Sequence, residues 1–188
     1  MKKVLLAIAI IAGCYTSTAQ KTINNVKVES TLTVDGKELI LNGAGMREKL
    51  WFDLYVGALY LESKESNGAT LTAADKPMAI TLDITDDLVT QDKMKTAVED
   101  GFDESCSNKE RKAIASEINT FIGFFSEKIV KGDHFKIAYM PGKGTMVSKN
   151  GKDLGTIKGM NFKKGLFGIW LGDDSVDEDL KDGMLGKA

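Results

Sequence analysis

The stretch "LNGAGMREKLWFDLYVGALYLES", residues 41–63, decides how the rest of this chain is read. From Leu50 to Leu61 it is almost unbroken in strand-forming and aromatic residues, and a strand is expected over Phe52–Leu61. In an alternating strand Tyr55 shares a side with Trp51, Leu59 and Leu61, opposite Phe52, Leu54 and Val56. Both sides then carry large apolar groups. One can pack on helices, and the other needs a cover or a ligand. Just upstream, Arg47 follows Gly43 and Gly45. It is either a surface charge beside a core strand or a cation aimed at something the sheet holds. A guanidinium beside a tyrosine hydroxyl, at the mouth of an apolar face, suits a carboxylate whose tail lies along the sheet.

Working outward, residues 25–42 read as a hairpin reversing at Asp35-Gly36. "TLTAADK" is a short helical turn stopped by Pro77, and Met78, Ile80, Leu82 and Ile84 alternate on one face of a further strand. The period then changes. Met94, Val98 and Phe102 recur at helical spacing from about Thr90, and Ser107 with Glu110 forms a capping box for a second helix. That helix is expected to carry an apolar stripe from Ile114 to Ile129 and to end at Gly132. Strands return at "HFKIAYM" and at a hairpin reversing at Asn150-Gly151. The last section reads as two helices, the first capped by Asn161, the second boxed by Ser175 and Glu178. Strands and helices come in blocks without βαβ alternation. The expected class is α+β, a mostly antiparallel sheet with helices on one face.

Composition narrows the function. In 188 residues, 43% are hydrophobic and 28% charged, enough for one sizeable core, and the formal net charge is −2. No concentrated basic face is available for phosphate neutralisation, so nucleic acid is not an expected partner. The opening "MKKVLLAIAIIAGCYTSTAQ" has a positive start, an apolar run and small residues ending at Ala19. It reads as a signal segment, residues 1–19, with a single domain over 20–188 exported to a bacterial periplasm. "IAGC" also resembles a lipobox, which would lipidate Cys14 and give the chain a membrane contact. If cleavage falls after Ala19, Cys106 is the one cysteine left and no internal disulfide forms.

Most catalytic templates lack parts. There is one histidine, His134, too few for a His-based metal site or a conventional triad. The glycines of "GAGMRE" and "GKGT" fit neither a dinucleotide fingerprint nor a phosphate loop. The acidic run from Asp173 to Asp179 lacks the spacing of a calcium loop and reads as a solvated helix cap. No metal or cofactor is expected. Cys106 lies among acidic residues that raise a thiol pKa, and reads as an incidental thiol.

Three segments, "GAGMRE" with "FDLYVGALYLES", residues 121–159, and "FKKGLFGIWLGDDSVDEDLKDGMLG", together resemble the chalcone isomerase-like proteins, in particular a secreted bacterial branch. The resemblance implies an open-faced β-sandwich with a ligand cleft between sheet and helices. It implies one of two activities, cofactor-free cyclisation of a chalcone or binding of a fatty acid. Arg47 matches the family's arginine, which would be catalytic if the chain were an isomerase. Tyr55 matches the binding tyrosine of the fatty-acid binders. The isomerase tyrosine falls near Thr90, its asparagine near Ala97 and its late threonine near Leu180, so the isomerase set is incomplete. The expected ligand is a small amphipathic or phenolic molecule held by Arg47, Tyr55, Tyr60, Thr90 and Met94. An isomerase acting on an enone would need another partner for Arg47, from Tyr60, Lys93 or Thr90. A structural module with a closed cleft is the third reading.

Overall fold

A computed structural model describes residues 21–187, so the readings of a cleavage site after Ala19 and of lipidation at Cys14 lie outside the described residues. Seven strands form one sheet in chain order, every neighbouring pair antiparallel. They are β3 (Thr31–Val34), β4 (Lys37–Lys49), β5 (Phe52–Leu61), β6 (Met78–Ile84), β7 (His134–Met140), β8 (Gly144–Lys149) and β9 (Lys152–Ile157). A separate hairpin precedes them, β1 (Lys21–Ile23) with β2 (Val26–Val28). Helix α1 (Gly68–Ala73) joins β5 to β6. Helices α2 (Gln91–Ser105), α3 (Asn108–Ala113) and α4 (Ala115–Gly123) lie between β6 and β7, and α5 (Met160–Leu171) and α6 (Glu178–Met184) follow β9.

The period-two pattern explains the layers. Leu59 and Leu61, with Met78, Ile80, Leu82 and Ile84, fall on one side and meet Val98, Phe102, Phe121 and Phe162 from the helices. Val56, Ala58 and Tyr60 fall on the other side, with Ala79 and Ala138, under Val28 of the first hairpin. The small residues there let the hairpin lie close. This is the α+β arrangement expected from the element order, in the open-faced sandwich form that the resemblance implies.

Several local expectations need correction. The hairpin over 25–42 is broken at Glu29-Ser30, so Val26–Val28 pairs with Lys21–Ile23 through a turn at Asn24 and Asn25, both at positive φ. Its reversal at Asp35-Gly36 is as read. The helix expected from Ser107 to Ile129 is two short helices that break at Ile114 (φ −120°, ψ 19°), and Phe125 and Ile129 reach the core from the loop beyond. Gly159, not Asn161, stands at the N-cap of α5. Asp177, not Ser175, caps α6, while the Ser175 hydroxyl donates to Glu178 at 3.0 Å. Trp51 is not on the strand at all. With Leu50 it forms the two-residue turn between β4 and β5, both at positive φ, which costs a non-glycine residue about 1–2 kcal/mol each.

Lys163 is fully buried, a placement no sequence pattern announces. Its ammonium donates to the carbonyls of Leu71 (2.6 Å), Thr72 (3.0 Å) and Ala74 (2.8 Å), which α1 leaves without partners at its C-terminal end. Burial pushes its pKa from 10.5 down to about 8, with Asp75 opposing. The unfolded chain therefore binds more protons than the native one above pH 8, and the lysine's contribution makes stability rise with pH until the unfolded lysine itself titrates. Tyr60 and Tyr139, raised to about 12 chiefly by burial, act oppositely: they favour the fold below pH 10 and lose that contribution as pH rises through about 12. Burial also raises Cys106, so its contribution fades above pH 9. In a Cys106→Ala background, urea unfolding should show stability rising by about 1–2 kcal/mol between about pH 8 and 9.5. A flat or falling profile contradicts the assignment to Lys163.

Candidate functional site

Arg47 lies near the end of β4, directly across the ladder from Tyr55 of β5. One step further the register slips, because Glu48 pairs with Asp53. The slip leaves Leu54 without an opposite number, and this bulge turns Leu54 toward the side on which Tyr55 sits. Strict alternation assigns Leu54 to the other face, so the bulge is what widens the apolar wall here.

That wall bounds a cavity of about 710 Å³ between the sheet and the helices, within the range of small-molecule sites. Its inner lining is apolar: Leu82 from β6, Val89 from the loop before α2, Met94 and Val98 from α2, Ile169 and Trp170 from α5. Met94 and Val98 are four residues apart and so share one helix face. Leu50, Phe52 and Leu88 stand at the open side with Lys49, Asp92 and Lys93.

The polar end is a small network. The Arg47 guanidinium donates to Asp177 at 2.8 Å and, less closely, to the Glu48 carbonyl at 3.3 Å, both through Nη1. Its side chain is 16% exposed and that of Asp177 15%. Asp177 uses its second oxygen to accept the Leu180 amide at 2.8 Å, capping α6. Trp170 Nε1 donates to the Tyr55 hydroxyl at 3.1 Å. Burial raises the Tyr55 pKa, with the Trp170 hydrogen bond and the Arg47 charge opposing and Asp177 adding to the rise. The phenol is therefore neutral at pH 7. With Trp170 occupying an acceptor lone pair, its proton remains to donate to a ligand oxygen.

The glycines before Arg47 explain how Asp177 gets there. A Cβ on Gly43 would overlap the Gly183 carbonyl oxygen and stand 2.7 Å from that of Met184. On Gly45 it would come within 3.1 Å of Leu180 Cα, and on Gly57 within 3.0 Å of a Leu180 methyl. Helix α6 thus lies directly on a glycine bed, running antiparallel to β4. Met184 and Gly183 sit over Gly43, Leu180 over Gly45, and Asp177 at Arg47. One helical turn of about 5.4 Å nearly matches two strand residues at about 6.8 Å, so the pairing holds over two turns. Asn42 fastens the far end, donating to the Met184 carbonyl at 2.8 Å and to that of Glu65 at 2.9 Å.

Of the residues expected at a ligand site, Arg47, Tyr55 and Met94 come together at this cavity. Tyr60 does not. It packs on the opposite face of the sheet and donates to the Glu29 carbonyl at 3.0 Å. Thr90 does not either: it is the N-cap of α2, and its hydroxyl accepts from the Lys93 amide at 3.3 Å. Lys93 reaches the open side. Near the other positions of the isomerase pattern, Ala97 lines the cavity and Leu180 packs on Gly45. Trp170 and Asp177 were missed. Trp170 had only its place in "LFGIWLGD" to mark it. In the sequence Asp177 belongs to the acidic run and reads as a solvated cap; it is a cap, but its other oxygen is spent on Arg47. Among the described residues no group of three His, Cys, Asp or Glu is placed to hold a metal ion.

Residues 20–186 match a family model described as chalcone isomerase-like. No match was found among curated proteins. Among solved structures the chain is similar to a crystal structure of an Arabidopsis thaliana fatty-acid-binding protein, with a TM-score of 0.71 at 16% identity over 89% of this chain and 96% of that one.

Proposed function

The chain belongs to the chalcone isomerase-like family, and we propose that within it this protein is a non-catalytic binder of a long-chain carboxylic acid, acting in the cell envelope. The observation that carries the reading is a mostly apolar cavity of about 710 Å³ with a largely buried arginine at its polar end. The carboxylate would accept from Arg47 and from the Tyr55 hydroxyl, and the tail would lie against Met94, Val98 and Ile169. The fold it shares with a fatty-acid-binding protein supports the ligand class. Binding is favoured over turnover by what became of the partners a catalyst would need. Tyr60 faces away, Thr90 is committed to a helix cap and Lys93 stands at the open side. The envelope assignment rests on the first nineteen residues, and the mass of the mature N-terminus tests it.

Native mass spectrometry of the purified protein, followed by titration with palmitate, tests the binding reading. Retained or titratable acid at one site per chain is expected. A protein that arrives empty and ignores added acid would end the proposal.

Asp177 makes a sharper version possible. It already shares Arg47, so an incoming carboxylate meets a like charge across the same cation. Asp177→Asn keeps the cap, since asparagine serves as well there, and removes the charge. Palmitate should bind the variant about tenfold more tightly, equivalent to about 1.4 kcal/mol. Weaker binding would instead make Asp177 a positioning group for Arg47.

A further inference from the structure

The turn that closes β4 and β5 is built against its own backbone preference. Leu50 and Trp51 sit at φ 50° and 73°, where a hairpin ordinarily places Asn, Asp or Gly. This chain does so elsewhere, at Asp35-Gly36 and at Asn150-Gly151. A branched and an aromatic residue held in that conformation point to a use for their side chains outside the fold. Both stand in solvent, Leu50 77% exposed and Trp51 99%. Phe52 follows at 47%, and Leu88 faces the same opening from the loop before α2 at 38%. Leu50, Phe52 and Leu88 also line the cavity. Apolar surface therefore continues from the inner wall to the outermost point of the hairpin.

We propose that this hairpin tip enters the surface of a lipid bilayer, so that the acid passes between membrane and cavity without crossing bulk water. The inference rests on the fatty-acid reading for its cargo, though not for the contact itself. The size of the patch favours a bilayer over a protein. An aromatic side chain offers about 150–250 Å². One such group with parts of three others falls short of the about 800 Å² that each partner gives to a specific protein interface. Tryptophan, with an apolar ring and one N–H donor, is suited to the boundary between headgroups and acyl chains. Around the opening Lys49 and Lys93 are balanced by Asp92 and Asp100, which matches a zwitterionic surface better than a strongly anionic one. The contact needs no lipid on Cys14.

The test uses phosphatidylcholine vesicles whose acyl chains are brominated, with the natural chain and Trp51→Ala. Trp51 does not line the cavity, and removing it leaves Trp170 as the other tryptophan. Vesicles should shift the emission attributable to Trp51 to the blue and quench it, with no change in the variant. Transfer of a fluorescent fatty acid out of vesicles should slow about tenfold in Trp51→Ala, while binding of the same acid delivered from cyclodextrin stays unchanged. Emission of Trp51 indifferent to vesicles overturns the docking inference. So does a blue shift that grows with protein concentration in buffer alone, since the tip would then meet a second copy. If neither protein takes up the cyclodextrin-delivered acid, the binding reading fails, and Trp51 quenching still decides the membrane contact.

Discussion

Arg47→Ala binds palmitate about 100-fold more weakly than the natural chain, a loss of about 3 kcal/mol, in a titration at pH 7. The size follows from where the guanidinium lies. It is largely withdrawn from water, and a carboxylate bound beside it would otherwise be a buried charge without a partner. The loss grows because truncation also leaves Asp177 without its cation, an anion left next to the incoming one. Arg47→Lys should recover part of the affinity. A lysine restores the charge but not the fork that serves Asp177 and a ligand oxygen together. Folding suffers less than binding, because Asp177 keeps its helix cap, but loss of a mostly buried ion pair should still lower the unfolding temperature by several degrees, about 2 kcal/mol. A variant that binds palmitate as well as the parent would remove Arg47 from the site.

Gly43→Val destabilises the fold by more than about 3 kcal/mol and lowers the unfolding temperature by roughly 10 °C. The position has no room because what a side chain would meet is backbone, the carbonyls of Gly183 and Met184, which no rotamer change can move aside. Helix α6 has to lift. Lifting it breaks the Asn42 bond to Met184 and carries Asp177 away from Arg47 at the other end. The effect should therefore extend beyond stability, and palmitate affinity should change as well. Gly57→Ala is the milder control, because the overlap there falls on the Met184 methyl and a Leu180 methyl, ends of flexible side chains. Equal tolerance at both positions would contradict the glycine bed.

The sheet was legible because period-two runs and Asp-Gly or Asn-Gly reversals are local signals, and the order of elements then fixed the layers. The capping box of Ser107 and Glu110 was legible for the same reason. The break at Ile114 was not, since an apolar stripe looks the same along one helix or two. At the site, Arg47 and Tyr55 stand out by residue type and by the family resemblance, while their pairing across the ladder shows only in the fold. Parity sets Tyr60 apart: five residues from Tyr55 on one strand, it points to the other face. Trp51 lies one residue before Phe52, where the strand begins, so alternation does not extend to it. Leu54 joined the wall through a bulge that only the pairing of β4 with β5 reveals. Asp177, 130 residues from Arg47, has no local signature of its partner. Its place depends on a helix resting on glycines, which is a matter of packing.

A carboxylate held against Arg47 and Tyr55 would reveal its ionisation in the carbon-13 resonance of carboxyl-labelled palmitate, bound to the protein and followed as pH is lowered. The bound carboxylate should stay ionised to a pH below the usual carboxylate range, because the guanidinium and the phenol favour its charged form more than Asp177 opposes it. That resistance should disappear in Arg47→Ala. A bound acid that protonates in the ordinary range or above it, in both proteins alike, would mean that the headgroup lies elsewhere and that Arg47 belongs to Asp177 alone.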